Sequence, residues 1–127
     1  MIVADASALV ALLLSAEAGE RVRRRFRGET VAVPHLADLE VLSVLRRHRS
    51  RIPSKRVART VAAYRDLALI RCDHVPHLQR IWQLRNNLTV YDAMYVALAE
   101  ALDAPLVTLD ARLAGAPGAQ AHIELIR

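Results

Sequence analysis

The chain has 127 residues, 54% hydrophobic and only 24% charged, which is enough for one domain with a sizeable core, too short for two, and too apolar for disorder. Its 18 Lys and Arg against 13 Asp and Glu leave a formal net charge of +5 and a pI of about 10.3, carried almost wholly by arginine, since Lys55 is the sole lysine. The longest apolar run, Ala6 to Leu14, is far short of a membrane span and no basic leader precedes it, so a cytoplasmic chain with no membrane partner is expected, and Cys72, the only cysteine, excludes an internal disulfide. Arginine forks suit phosphate, which makes a polyanionic partner one reading of the charge; a solvated basic surface is the other.

In chain order, Ile2-Val3-Ala4 is a short buried strand that ends on Asp5 and turns into an apolar helix over Ala8 to Leu14, with Ser7 as its expected N-cap. Glu17 to Arg27 reads as a second helix, interrupted by Gly19 and stopped by Gly28. Thr30 to Val33 is a strand closed by Pro34, and His35 to Arg49 is helical. Pro53 and Ser54 open a further helix to about Ala68, with a basic first half, and Ala68 to Cys72 is a third strand. Pro76 starts a helix through Trp82 to about Asn87. Thr89 to Leu102 is a strongly apolar helix, Pro105 to Leu109 a fourth strand ending in Asp110, and His122 to Ile126 a last strand after the Gly115-Ala116-Pro117-Gly118 loop. Strands alternating with helices imply right-handed βαβ units and a mostly parallel sheet covered on both faces, hence a three-layer α/β/α domain.

Four acids sit on otherwise apolar elements. Asp5 and Asp110 both end strands, and strand ends at the carboxyl edge of an open parallel sheet are where ligands collect; taken alone, each is better explained as a common strand-end acid, Asp110 as a turn or N-cap residue. Glu40 shares a helical face with Leu36, Ser43 and Val44 and would be desolvated there unless paired or coordinated; an ion pair with Arg46 or Arg47 is the plain alternative. Asp92 opens the apolar helix within Thr89-Val90-Tyr91-Asp92, which has the shape of a capping box. Clustered carboxylates repel, so four that meet stay ionised together only around cations, and an all-oxygen set without His or Cys favours Mg²⁺ or Mn²⁺. The remaining acids, Asp38 among them, fall on polar faces or near helix starts, and His74 and His77 flank a Val75-Pro76 turn.

At these residues the chain resembles the PIN-domain ribonucleases, most closely the small VapC-type toxins of bacterial toxin–antitoxin pairs. The segments that carry the resemblance are Ile2 to Leu9, Glu40 to Arg47, Tyr91 to Ala99 and Leu106 to Asp110, in order along the whole chain. The resemblance implies one PIN-like domain over residues 1–127, with a central parallel sheet of about five strands in the order 3-2-1-4-5. It places a catalytic and metal-binding constellation on Asp5, Glu40, Asp92 and Asp110, with Ser7 and Thr108 as supporting hydroxyls. Ser43 stands where members often carry asparagine, which bears on a supporting contact rather than on the carboxylates. The implied activity is an Mg²⁺- or Mn²⁺-dependent endoribonuclease that hydrolyses phosphodiesters by activated water. The implied partners are RNA, a small antitoxin protein and a second copy of the chain, with higher toxin–antitoxin assemblies as an extension. The rival is an inert nucleic-acid- or partner-binding domain that keeps the acids for caps and ion pairs. A phosphatase or receiver domain of related topology fits less well, because Ser7 stands where a second aspartate is wanted and no lysine lies late in the chain.

Overall fold

The computed structural model describes residues Met1–Arg127. Five strands, β1 (Ile2–Ala4), β2 (Val31–Pro34), β3 (Leu69–Cys72), β4 (Leu106–Thr108) and β5 (Ile123–Leu125), form one sheet in the order β3-β2-β1-β4-β5, and every neighbouring pair is parallel. The expected strand order is therefore observed. Ile2, Val3, Leu106 and Val107 are wholly buried, as the middle of a parallel sheet covered on both faces requires. The edge strands β3 and β5 are only partly covered.

The helices are α1 (Ala6–Leu14), α2 (Ala16–Phe26), α3 (Leu36–Arg47), α4 (Ser54–Arg65), α5 (Leu78–Gln83), α6 (Val90–Leu102) and α7 (Ala111–Ala114), with a 3₁₀ turn at Val75–His77. Right-handed crossovers put α1 to α4 on one face and α5 to α7 on the other. α1 packs on α2, α3 and α4, whereas α6 lies on β1, β2 and β4. Ala93 to Ala99 are all buried, so α6 is apolar all round because it is enclosed all round. No helix is long and apolar enough to cross a membrane.

Several details of the elements differ from expectation. α4 stops at Arg65 instead of running to Ala68. The segment opened by Pro76 divides into the 3₁₀ turn and the short α5, which ends before Asn86-Asn87; asparagine competes with the helix backbone for hydrogen bonds and favours turns. Gly19 does not interrupt α2 but lies within it, buried against α1. A Cβ there would stand 2.6 Å from the Ala11 carbonyl oxygen, so Gly19 allows the two helices their close approach. Gly19→Ala is expected to cost about 1–3 kcal/mol through this overpacking, despite alanine's better helix propensity; thermal unfolding should show a fall in Tm of several degrees.

β1 is flanked by β2 on one side and β4 on the other, and the winding reverses there. A crevice opens at that point beyond the carboxyl ends of the strands. Asp5 follows β1 and Asp110 follows β4 by two residues, so topology delivers both to the crevice.

Candidate active site

Asp5 caps α1: its Oδ1 accepts from the Ala8 N–H at 3.1 Å and from Ser7 Oγ at 2.6 Å, and its Oδ2 accepts from Thr108 Oγ1. The cap expected of Ser7 thus belongs to Asp5, because Ser7 already lies in the first turn of α1 with its hydroxyl turned back to the carboxylate. Ser7 Oγ also accepts from the Leu109 N–H at 2.9 Å, and Thr108 Oγ1 accepts from the Asp110 N–H at 2.9 Å. The two hydroxyls therefore stitch the ends of β1 and β4 together around one carboxylate. Asp5 is only 6% exposed. Burial pushes its pKa up, the hydrogen bonds from Ser7, Thr108 and Ala8 pull it back, and the Asp110 charge adds a further rise; the net shift is upward.

Glu40, on α3, makes no ion pair with Arg46 or Arg47. Its Oε1 accepts instead from the Tyr95 hydroxyl at 2.6 Å. Burial raises the Glu40 pKa, the Tyr95 bond opposes this, and the charges of Asp92 and Asp5 add to it. Tyr95 lies three residues after Asp92 on the same face of α6, and burial together with the facing carboxylate pushes its phenol far upward, so it stays a donor. Sequence reasoning passed over this residue, although a tyrosine amid an apolar helix signals a polar tip in need of a partner.

Asp92 forms half of the expected capping box. Thr89 Oγ1 accepts from the Asp92 N–H at 3.1 Å, but the Asp92 carboxylate turns to Arg112, whose Nη2 donates to Oδ2 at 3.1 Å. The same Nη2 donates to Asp110 Oδ2 at 3.1 Å. Asp110 also caps α7, its Oδ1 accepting from the Arg112 N–H at 2.9 Å. Burial would raise the Asp110 pKa, but the Arg112 guanidinium and the Arg112 and Leu113 N–H groups outweigh it and hold the group below the usual range.

Asp5, Glu40, Asp92 and Asp110 all line one cavity of about 620 Å³, together with Ser7, Tyr95 and Arg47. No histidine or cysteine lines it. No three acids close to coordinating distance around a common point; a mostly exposed arginine stands between two of them. The set still fits a hard divalent cation, since its donors are all oxygen and Arg112 already serves Asp92 and Asp110 as a stand-in positive charge. Asp38, set aside as structural, accepts from Tyr64 Oη at 2.7 Å and from Arg71 Nε at 2.9 Å, tying α3 to α4 and β3.

Tyr95→Phe removes the one hydrogen bond that holds Glu40. Loss of such an orienting bond typically costs 10–100-fold in metal affinity or activity. A Mn²⁺ titration by calorimetry and the turnover rate should both register it, with the unfolding free energy changed by only about 0.5–1.5 kcal/mol.

Comparison with known proteins gives the family. The PIN domain model matches residues 2–119. The chain belongs to the PIN-domain family. Within it, this PIN domain falls with the VapC ribonucleases: it is 45% identical over 128 residues to Ribonuclease VapC12 of Mycobacterium tuberculosis, covering 99% of each chain. Among solved structures, VapC20 of Mycobacterium tuberculosis, described as a sarcin–ricin loop cleaving toxin, superposes with a TM-score of 0.69 at 15% identity, covering 90% of this chain and 93% of that one. A toxin–antitoxin complex from Klebsiella pneumoniae superposes with a TM-score of 0.72 at 17% identity, covering 100% and 98%. Those two likenesses concern the fold; the PIN assignment rests on the family match and the VapC12 identity.

Proposed function

We propose that this PIN-domain chain is an Mg²⁺- or Mn²⁺-dependent endoribonuclease, the toxin of a toxin–antitoxin pair, acting by hydrolysis. The observation that carries the proposal is the convergence of four carboxylates on one cavity without a histidine. Asp5 would be the main metal ligand, with Asp92 and Asp110 beside it and Glu40 holding a second ion or a water. A bound divalent ion lowers the pKa of a water and offsets charge building on the phosphate. Ser7 and Thr108 hold the Asp5 carboxylate in one orientation, Tyr95 does the same for Glu40, and Arg47 offers a positive charge at the rim for the phosphate.

The proposal includes an antitoxin and a second copy of the chain. Support for the first is an apolar groove lined by Leu12, Leu13, Phe26 and Leu67 and flanked by Arg23 and Arg27. For the second it is the exposed apolar side chains Val75, Leu78, Trp82, Val90 and Tyr91, since a large exposed apolar patch marks an interaction surface.

A Mn²⁺ titration followed by thermal shift tests the metal site. Saturable stabilisation is expected for the wild type and its loss for Asp5→Asn; an inert domain would give no saturable shift. Arg112→Ala should bind Mn²⁺ a few-fold more tightly, because the exposed ion pairs it breaks are worth only about 0.2–1 kcal/mol each and the ion no longer has to displace them. An unchanged affinity would show that Arg112 does not compete for the site.

A further inference from the structure

The arginines of this chain fall into two populations that composition alone does not separate. Those on α2 are neutralised: Arg21 pairs with Glu17 at 3.0 Å, Arg23 and Arg24 with Glu20 at 3.0 and 3.3 Å, and Arg25 with Glu124 and Glu29 at 2.6 and 2.9 Å. Of the three arginine groups that suggest a cationic surface in the sequence, around 21–27, 46–51 and 55–59, the first is therefore largely spent on ion pairs. The stretch from Val41 to Arg65 differs, carrying eight Arg or Lys and no Asp or Glu. Arg46, Arg47, Arg49, Arg51, Lys55, Arg56 and Arg59 are all exposed. None lies within 4.0 Å of a carboxylate; only Arg65, at the far end, finds one, on Asp66.

These free cations join the carboxylate cavity. Glu40, Val44 and Arg47 follow one another at helical spacing along α3, and all three line the cavity, which puts Arg47 about 10 Å along the helix axis from Glu40. Beyond Arg47 the chain turns through Arg49 and Arg51 into the first turns of α4, where Lys55, Arg56 and Arg59 stand. Pro53 gives α4 no side-chain cap, so the positive end of that helix faces the same corner. Seven uncompensated charges in one strip repel one another, and a polyanion relieves that repulsion. Arginine forks match phosphate oxygens in two-point geometry.

We infer that single-stranded RNA leaves the carboxylate cavity past Arg47 and crosses the corner between α3 and α4, held there by its phosphates, while the α2 arginines take no part. This rests on the endoribonuclease reading and assigns its substrate a one-sided path: RNA is gripped on one flank of the scissile bond. Tyr64 on α4 and Tyr95 in the cavity are both buried, so the grip is on the backbone and independent of base sequence.

The test compares two triple variants in an Asp5→Asn background that blocks cutting: Arg51→Gln/Lys55→Gln/Arg56→Gln at the corner, and Arg21→Gln/Arg23→Gln/Arg24→Gln on α2. Anisotropy of a labelled 20-nucleotide RNA is titrated over a range of salt. Each phosphate of a single strand that is no longer neutralised lowers the log–log slope by about 0.7, so the corner triple should lower it by about 2 and the α2 triple by less than a single phosphate would. Equal losses from both triples, a greater loss from α2, or an unchanged slope at the corner overturns the inference. An unchanged slope would leave the strip to a protein partner. In the active background, a four-nucleotide RNA too short to reach the corner should be cut by the corner triple at the wild-type rate, while a long RNA shows a raised KM. If the wild type cut neither RNA, the endoribonuclease reading would fail, and the slope comparison would still decide where RNA binds.

Discussion

Asp5→Asn is expected to lose RNA cleavage by about 10³-fold at saturating Mg²⁺ and, in EDTA at neutral pH, to unfold at a higher temperature than the wild type. The first effect follows from the several kcal/mol of charge stabilisation that a metal site supplies, at about 1.4 kcal/mol per decade of rate. The second follows from burial. Asp5 is almost wholly enclosed, and desolvation raises its pKa in the folded state. A carboxyl whose folded pKa lies above its unfolded value favours folding in acid, and that advantage is lost as pH rises through the folded pKa; above it the ionised group opposes folding. Asparagine keeps the shape and can still accept from Ser7 and Ala8, but its amide must face Thr108 Oγ1, which already accepts from the Asp110 N–H. That reversal costs about 0.5–1.5 kcal/mol, less than enclosing a carboxylate beside other acids. The Tm difference between variant and wild type should thus grow as pH rises from about 4, the unfolded value, through the raised folded pKa. Glu40, also raised by burial and by neighbouring charge, contributes with the same sign, whereas Asp110, held down by Arg112, loses its contribution as pH falls. An Asn variant less stable than the wild type at pH 7 in EDTA would show that Asp5 serves the fold and not a ligand.

The sheet was legible because its inner strands are short apolar runs, two of which, β1 and β4, lead into acids, and α6 because a helix enclosed on all sides needs no polar face. What stayed hidden was which side chain would satisfy which acid. Asp5 and Ser7 are both good caps, and only the backbone decides that Asp5 takes the Ala8 N–H while Ser7 turns back to Asp5 and Leu109. Glu40 had arginines six and seven residues on, yet its partner is Tyr95, fifty-five positions away. Long-range hydrogen bonds carry no local period, so sequence spacing cannot rank them. The arginines show the same limit from the other side. Glu17 and Glu20 stand at helical spacing from Arg21, Arg23 and Arg24, so those pairs could be read, but the pairing of Arg25 with Glu124 needed the fold. Only with both known does the unpaired strip from Arg46 to Arg59 stand out.

The second large effect concerns how the phosphodiester is cut. Products are expected to carry a 5′-phosphate and a 3′-hydroxyl, a single 2′-deoxy sugar on the 5′ side of the scissile bond should not block the reaction, and EDTA should stop it. Attack by the neighbouring 2′-hydroxyl needs a base and an acid that exchange protons near neutral pH, usually histidines. His35 precedes α3, His48 follows it, His74 precedes the 3₁₀ turn, His77 ends it and His122 precedes β5; none lines the carboxylate cavity. Tyr95, pushed far upward by burial and by Glu40, does not give up its proton. The groups left are carboxylates, of which Asp110 is held ionised and Asp5 is tied by two hydroxyls and an amide. Such a set positions cations and a water on a phosphate better than it shuttles protons from a ribose. Mapping the ends of a cleaved oligonucleotide, beside its 2′-deoxy counterpart with and without EDTA, separates the routes. Cyclic-phosphate ends, a blocked deoxy substrate and activity persisting in EDTA would together assign the cut to the ribose hydroxyl and leave the four carboxylates without a catalytic role.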